Sequence, residues 1–103
     1  MVSSEIINII ESLIFASDEE ITIKEIKEIM NSFKLEIEPE EIEETVEELN
    51  DRYEKNNNAF RIIQVAGGYT YSTRKEYAQY VGKLYSVIPV SYTHLTLPTT
   101  PYV

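Results

Sequence analysis

Between Ser4 and Ala16 the apolar residues Ile6, Ile7, Ile9, Ile10, Leu13 and Ile14 recur at spacings of three and four. That period lays a wide apolar stripe along one face of a helix, with Asn8, Glu11 and Ser12 on the other side. Ser4 is the expected N-cap. Ser17-Asp18-Glu19-Glu20 breaks the period and reads as a loop. A second helix is predicted after Thr22, which forms a T-x-x-E capping box with Glu25. Ile21 and Ile26 stand at the spacing of a hydrophobic staple around that cap. Ile26, Ile29, Met30 and Phe33 continue the apolar face toward an end near Lys34. A third helix starts near Pro39, whose missing N–H is not needed in a first turn. Ile42, Val46, Leu49 and Tyr53 form its apolar stripe, glutamates fill most other positions, and Asn56-Asn57-Asn58 ends it.

The period then changes. Phe60 to Ala66 is β-branched and aromatic, Gly67-Gly68 follows, and Tyr69 to Thr73 forms a second such run. Two strand-like runs joined by two glycines predict a hairpin, with Gly67 and Gly68 at its tip. A fourth helix is predicted from about Arg74 to Tyr85, capped by Thr73 with Glu76 three residues on. Tyr77, Tyr80, Val81, Leu84 and Tyr85 mark its stripe, and Gly82 weakens it. The order helix, helix, helix, hairpin, helix is that of a winged helix-turn-helix domain. The fold class is therefore α+β and mostly α, with a two-stranded β-hairpin wing.

The domain is expected to span residues 1–87. Residues 88–103 hold three of the four prolines and four threonines, and no Asp, Glu, Lys or Arg follows Lys83. That composition is expected of a disordered tail. Its run from Val90 to Thr100 resembles translated adapter read-through, so a non-native origin is expected for it.

Charge changes the functional picture more than the fold. The 103-residue chain carries net charge −9, unevenly distributed. Residues 1–50 hold 15 acids against 3 lysines, and residues 51–103 hold three acids against six bases. Residues 40–55, the position of a DNA-reading helix, hold eight acids and two bases. Phosphate walls repel such a helix. With no Cys, and with its only His at position 94, the chain lacks a thiol, a zinc-finger ligand set and a base for a serine nucleophile. Neither metal nor cofactor is expected, and no catalytic residue is assigned. The start, Met1 to Glu5, lacks the basic region of a signal peptide, and no apolar run approaches a membrane span. A cytoplasmic protein with no membrane contact is expected.

A specific likeness adds to this reading. Ile9-Ile10-Glu11-Ser12-Leu13-Ile14-Phe15-Ala16 resembles the opening of the bacterial segregation and condensation protein B family. Val46 to Tyr53 resembles the end of that family's third helix. Val65-Ala66-Gly67-Gly68-Tyr69, followed by Thr73-Arg74-Lys75-Glu76-Tyr77, resembles its wing and next helix. The resemblance implies a non-catalytic accessory subunit of the condensin complex. It implies homodimerisation, and work with a kleisin subunit and the structural-maintenance-of-chromosomes ATPase at the nucleoid. It covers the first of the family's two winged-helix domains, so kleisin contact would lie mostly in a second domain missing here.

The expected interface residues are Tyr69, Tyr71 and Tyr80, read as the more exposed of the tyrosines, while Tyr77 and Tyr53 are assigned to the core. The alternative is a winged-helix transcription regulator touching DNA through the wing and fourth helix, where Arg61, Arg74, Lys75 and Lys83 lie. Otherwise nucleic-acid contact is expected to be weak or indirect.

Overall fold

A computed structural model of the chain describes residues 2–87. The tail expected at 88–103, with His94, lies outside the described residues. The chain divides into two units that meet between Thr73 and Arg74.

The first unit begins with helix α1, Ser4–Ala16. Its N-cap is Ser3 rather than Ser4, because the Ser3 hydroxyl accepts from the Ile6 N–H at 3.3 Å. Strand β1, Ile21–Thr22, runs directly into helix α2, Ile23–Ser32. The capping box forms as its spacing predicts. Thr22 Oγ1 accepts from the Glu25 N–H at 3.1 Å, and Glu25 Oε1 accepts from the Thr22 N–H at 3.0 Å. Lys34 follows α2 at φ 61°, and the Leu35 N–H closes back on the Met30 carbonyl at 2.9 Å. This left-handed residue stops the helix.

Helix α3, Pro39–Lys55, starts at the proline. Glu41 Oε1 reaches back to accept from the Glu38 N–H at 2.9 Å, which ties down a donor at the helix start. Asn57, at φ 56°, turns the chain out of α3, and the Asn58 N–H donates to the Tyr53 carbonyl at 2.9 Å.

Strands β2, Phe60–Val65, and β3, Gly68–Thr73, form the wing hairpin. The sheet has three strands in the order β1-β3-β2, all antiparallel, and not the two expected. The extra strand is two residues long, too short for any period to reveal. Its pairs are Ile21 with Tyr69 and Thr22 with Gly68. Three helices and this winged sheet make a winged helix.

The hairpin turn is also one residue from its expected place. Val65 pairs with Gly68, so the two turn residues are Ala66 and Gly67, at φ 50° and 82°. Two successive positive φ values match the right-handed twist of the flanking strands. Gly68 belongs to β3 for a different reason. A Cβ on it would lie 2.8 Å from the Ile21 carbonyl oxygen, so only a hydrogen lets β1 come this close.

The core is built from one face of each element of the first unit. Ile7, Ile10 and Ile14 of α1 meet Ile26 and Met30 of α2 and the α3 stripe Ile42, Val46, Leu49 and Tyr53. Ile21, Ile62 and Tyr69 close it from the sheet. Thr45 is fully buried on α3, and its hydroxyl donates to the Glu41 carbonyl at 2.8 Å. Asn50 locks α3 to the sheet. Its amide donates to the Ile62 carbonyl at 2.9 Å, and its carbonyl oxygen accepts from the Ile62 N–H at 2.8 Å.

The second unit, as far as it is described, holds a 3-10 turn at Lys75–Tyr77 and helix α4, Ala78–Val87. The capping box expected at Thr73 and Glu76 does not form. Thr73 is still in β3, paired with Phe60, and Arg74 precedes the 3-10 turn without a side-chain cap.

Candidate interaction surface

Four aromatic rings gather where α1, the end of α3 and the two long strands converge. Tyr53 packs edge-on against Phe60 with ring centroids 5.1 Å apart. Tyr71 lies 6.0 Å from Tyr53, 5.9 Å from Phe60 and 6.2 Å from Phe15. Such tilted and edge-to-face contacts suit the ring quadrupoles. Phe15 sits at the end of α1 and is 79% exposed. Together with Glu11 and Ser12 these rings line a groove of about 520 Å³.

Its hydroxyls form a directed chain. The Tyr53 hydroxyl donates to Glu11 Oε2 at 2.5 Å. Its single proton is thereby used, so across the 2.7 Å contact the Tyr71 hydroxyl is the donor and the Tyr53 oxygen the acceptor. The Ser12 hydroxyl donates to the Asn8 carbonyl at 2.8 Å.

Burial pushes the Tyr53 phenol far above its ordinary range, and its bond to the Glu11 carboxylate adds to the rise. Burial also raises Tyr69, with the charge of Glu43 as a further cause. Tyr71 is raised by burial, and the charge of Glu11 adds to the rise. A phenol whose native pKa is raised contributes stability that is whole below its unfolded pKa, about 10, and that is lost as pH climbs toward the native value. The urea midpoint is therefore expected to fall above about pH 10. Tyrosinate absorbance from these three rings is expected to appear together with unfolding. Their ionisation in a chain that keeps its native circular dichroism would refute this.

The tyrosines expected at an interface separate in the structure. Tyr69 is 5% exposed and belongs to the core, because its pairing with Ile21 sets it between β1 and β2 with its ring turned inward. Tyr71 is half-buried in the groove wall. Tyr80 is 66% exposed on α4. Tyr53 is buried as expected, whereas Tyr77 is 38% exposed and not a core residue. Among its described residues the second unit buries no α4 side chain, so the stripe from Tyr77 to Tyr85 is an open apolar face. Gly67 is in the wing turn and Gly68 is not. The groove was missed by sequence reasoning, because Glu11 and Phe15 of α1 and Phe60 of β2 carry no shared motif. An exposed Phe one turn after a polar-face Glu was its only trace.

Arg74 lies 3.6 Å from Glu76, and α3 presents its acids outward. Nothing in the described residues favours DNA contact through the wing. Among those residues no group of three or more His, Cys, Asp or Glu is placed to hold a metal ion. No described helix is long and apolar enough to cross a membrane.

Comparison with known proteins assigns the chain. The family model described as Segregation and condensation complex subunit ScpB matches residues 8–100. The chain belongs to this family. Segregation and condensation protein B of Clostridioides difficile (strain 630) is 38% identical over 76 residues, 74% of this chain and 41% of the relative. The chain spans about two fifths of the length of the curated relatives it matches. A conserved hypothetical protein from Chlorobium tepidum, solved as a crystal structure, matches with TM-score 0.72 and 34% identity. That match covers 89% of this chain and 54% of the other. A solved dimer of a ScpB N-terminal domain complexed with a ScpA peptide matches with TM-score 0.64 and 23% identity. It covers 82% of this chain and 96% of that one, and at this identity it speaks for the fold. The ScpB family and the winged helix expected from the sequence are thus both found.

Proposed function

We propose that this chain is the first winged-helix domain, residues 1–87, of a ScpB-type subunit. In this reading it is a non-catalytic, homodimerising scaffold for bacterial chromosome condensation and segregation. It works in the cytoplasm at the nucleoid with the kleisin subunit and the structural-maintenance-of-chromosomes ATPase. The observation that carries the reading is the family match over residues 8–100. Two surface features support it. One is the aromatic groove of the first unit, and the other is the open face of α4 with Tyr80, Leu84, Tyr85 and Val87. Contiguous exposed apolar side chains of this kind suit a protein that assembles. The winged-helix relative complexed with a ScpA peptide makes the kleisin the natural partner to test.

Size-exclusion chromatography with light scattering, at tens of micromolar, is expected to give a mass near twice the 11.9 kDa of the chain. A strictly monomeric mass over that range would refute the dimer. Calorimetric titration with the kleisin subunit is expected to show saturable binding, and no heat of binding would refute that contact.

A further inference from the structure

The groove of the first unit offers acceptors and rings but no donor. The proton of Tyr71 is committed to Tyr53, that of Tyr53 to Glu11, and that of Ser12 to Asn8. No cationic side chain lines the groove. What remains open is Glu11 Oε1, which takes part in no hydrogen bond among the described residues, and the surfaces of Phe15, Phe60 and Tyr71. Such a site repels carboxylates and phosphates and has nothing to offer a neutral acceptor. It complements a group with an apolar stem, several N–H donors and a positive charge. The guanidinium of arginine meets all three demands, because it stacks on aromatic rings and pairs with a carboxylate at its edge. A volume of about 520 Å³ admits one long side chain with part of its neighbours. The net −12 of residues 1–50, which include Glu11, favours the same sign of partner.

We propose that the groove bounded by Glu11, Phe15, Tyr53, Phe60 and Tyr71 binds an arginine side chain from a partner protein. Lysine binds there more weakly, since its ammonium neither stacks nor forks. The chain's own residues 84–103 contain no Lys or Arg and so cannot supply the cation. The proposal rests on the scaffold reading only in that the side chain comes from another protein. Its test uses no such protein, so the two can fail separately.

The test is a nitrogen-15 amide titration of the full 103-residue chain with N-acetyl-arginine amide at low salt. N-acetyl-lysine amide and the uncharged N-acetyl-norleucine amide serve as comparisons. Saturable shifts are expected at the groove residues, about threefold to tenfold tighter for the arginine probe than for the norleucine probe. Glu11→Gln keeps an acceptor for Tyr53 and is expected to remove most of that preference. Phe15→Ala removes a side chain 79% exposed, so the fold survives and binding weakens for every probe. Equal binding of the norleucine probe would overturn the proposal, and so would shifts spread over the acids of α3. Groove shifts that depend on protein concentration alone would identify a second copy as the occupant and would equally overturn it.

Discussion

Gly68→Ala is expected to lower the stability of the first unit by about 2–3 kcal/mol, the cost of forcing an extra methyl into a packed site. In a body of this size that is a fall in Tm of roughly 10–20 °C, read by circular dichroism. The added Cβ would stand 2.8 Å from the Ile21 carbonyl oxygen and 2.9 Å from its carbon. Both are backbone atoms, so no side chain can swing aside. The strain can be relieved only by parting β1 from β3, which also loosens the cap of α2, because Thr22 is both the end of β1 and the N-cap. Gly67→Ala is the informative contrast. Gly67 sits at φ 82° with nothing within 4 Å of its Cβ position, so its cost is conformational alone, about 1–2 kcal/mol. Equal effects at the two glycines would show that the close approach of β1 does not matter.

Asn50→Ala is expected to cost about 2 kcal/mol, through two hydrogen bonds lost at once rather than through lost packing. The Ile62 N–H and carbonyl each lose their partner in a half-buried position. Asn50→Asp separates the two bonds. A carboxylate can still accept from the Ile62 N–H, but it faces the Ile62 carbonyl with a negative charge in place of a donor. The aspartate variant is therefore expected to be as unstable as the alanine variant at pH 7. It should regain stability as pH falls and the acid becomes a donor. Urea unfolding at pH 4 and pH 7 checks this, and an aspartate variant indifferent to pH would refute the two-bond account.

Where the local chemistry is self-contained, the sequence was legible. The pair Thr22 and Glu25, the proline at the start of α3 and the stripe from Ile42 to Tyr53 each carry their own instruction within one turn or one face. The likeness of Ile9 to Ala16 and Val65 to Tyr77 to the ScpB family agrees with the family match over residues 8–100. Contacts between distant segments were not legible. A glycine pair invites the turn to be centred on it, yet the turn uses Ala66, because Gly68 is needed where Ile21 approaches. Tyr69 lies in a run of alternating polar and aromatic residues that reads as solvent-facing. Its ring is on the core face of a central strand, flanked by Ile21 of β1 and Gln64 of β2. The stripe of α4 has the period of a core helix, and periodicity cannot say whether a partner face exists. The groove combines residues 11, 15, 53, 60 and 71, so no window of sequence contains it.

Strand β2 is the longer of the two outer strands of the sheet, and an outer strand ordinarily offers its backbone to any passing chain. Here the middle of that edge is already occupied, because the amide of Asn50 mimics the backbone of a neighbouring strand at Ile62. An extended peptide cannot lengthen the sheet along β2 without first evicting Asn50. Assembly is thus steered away from strand addition and toward contacts between side chains. The same block protects the wing from the edge-to-edge stacking that leads β-proteins into aggregates.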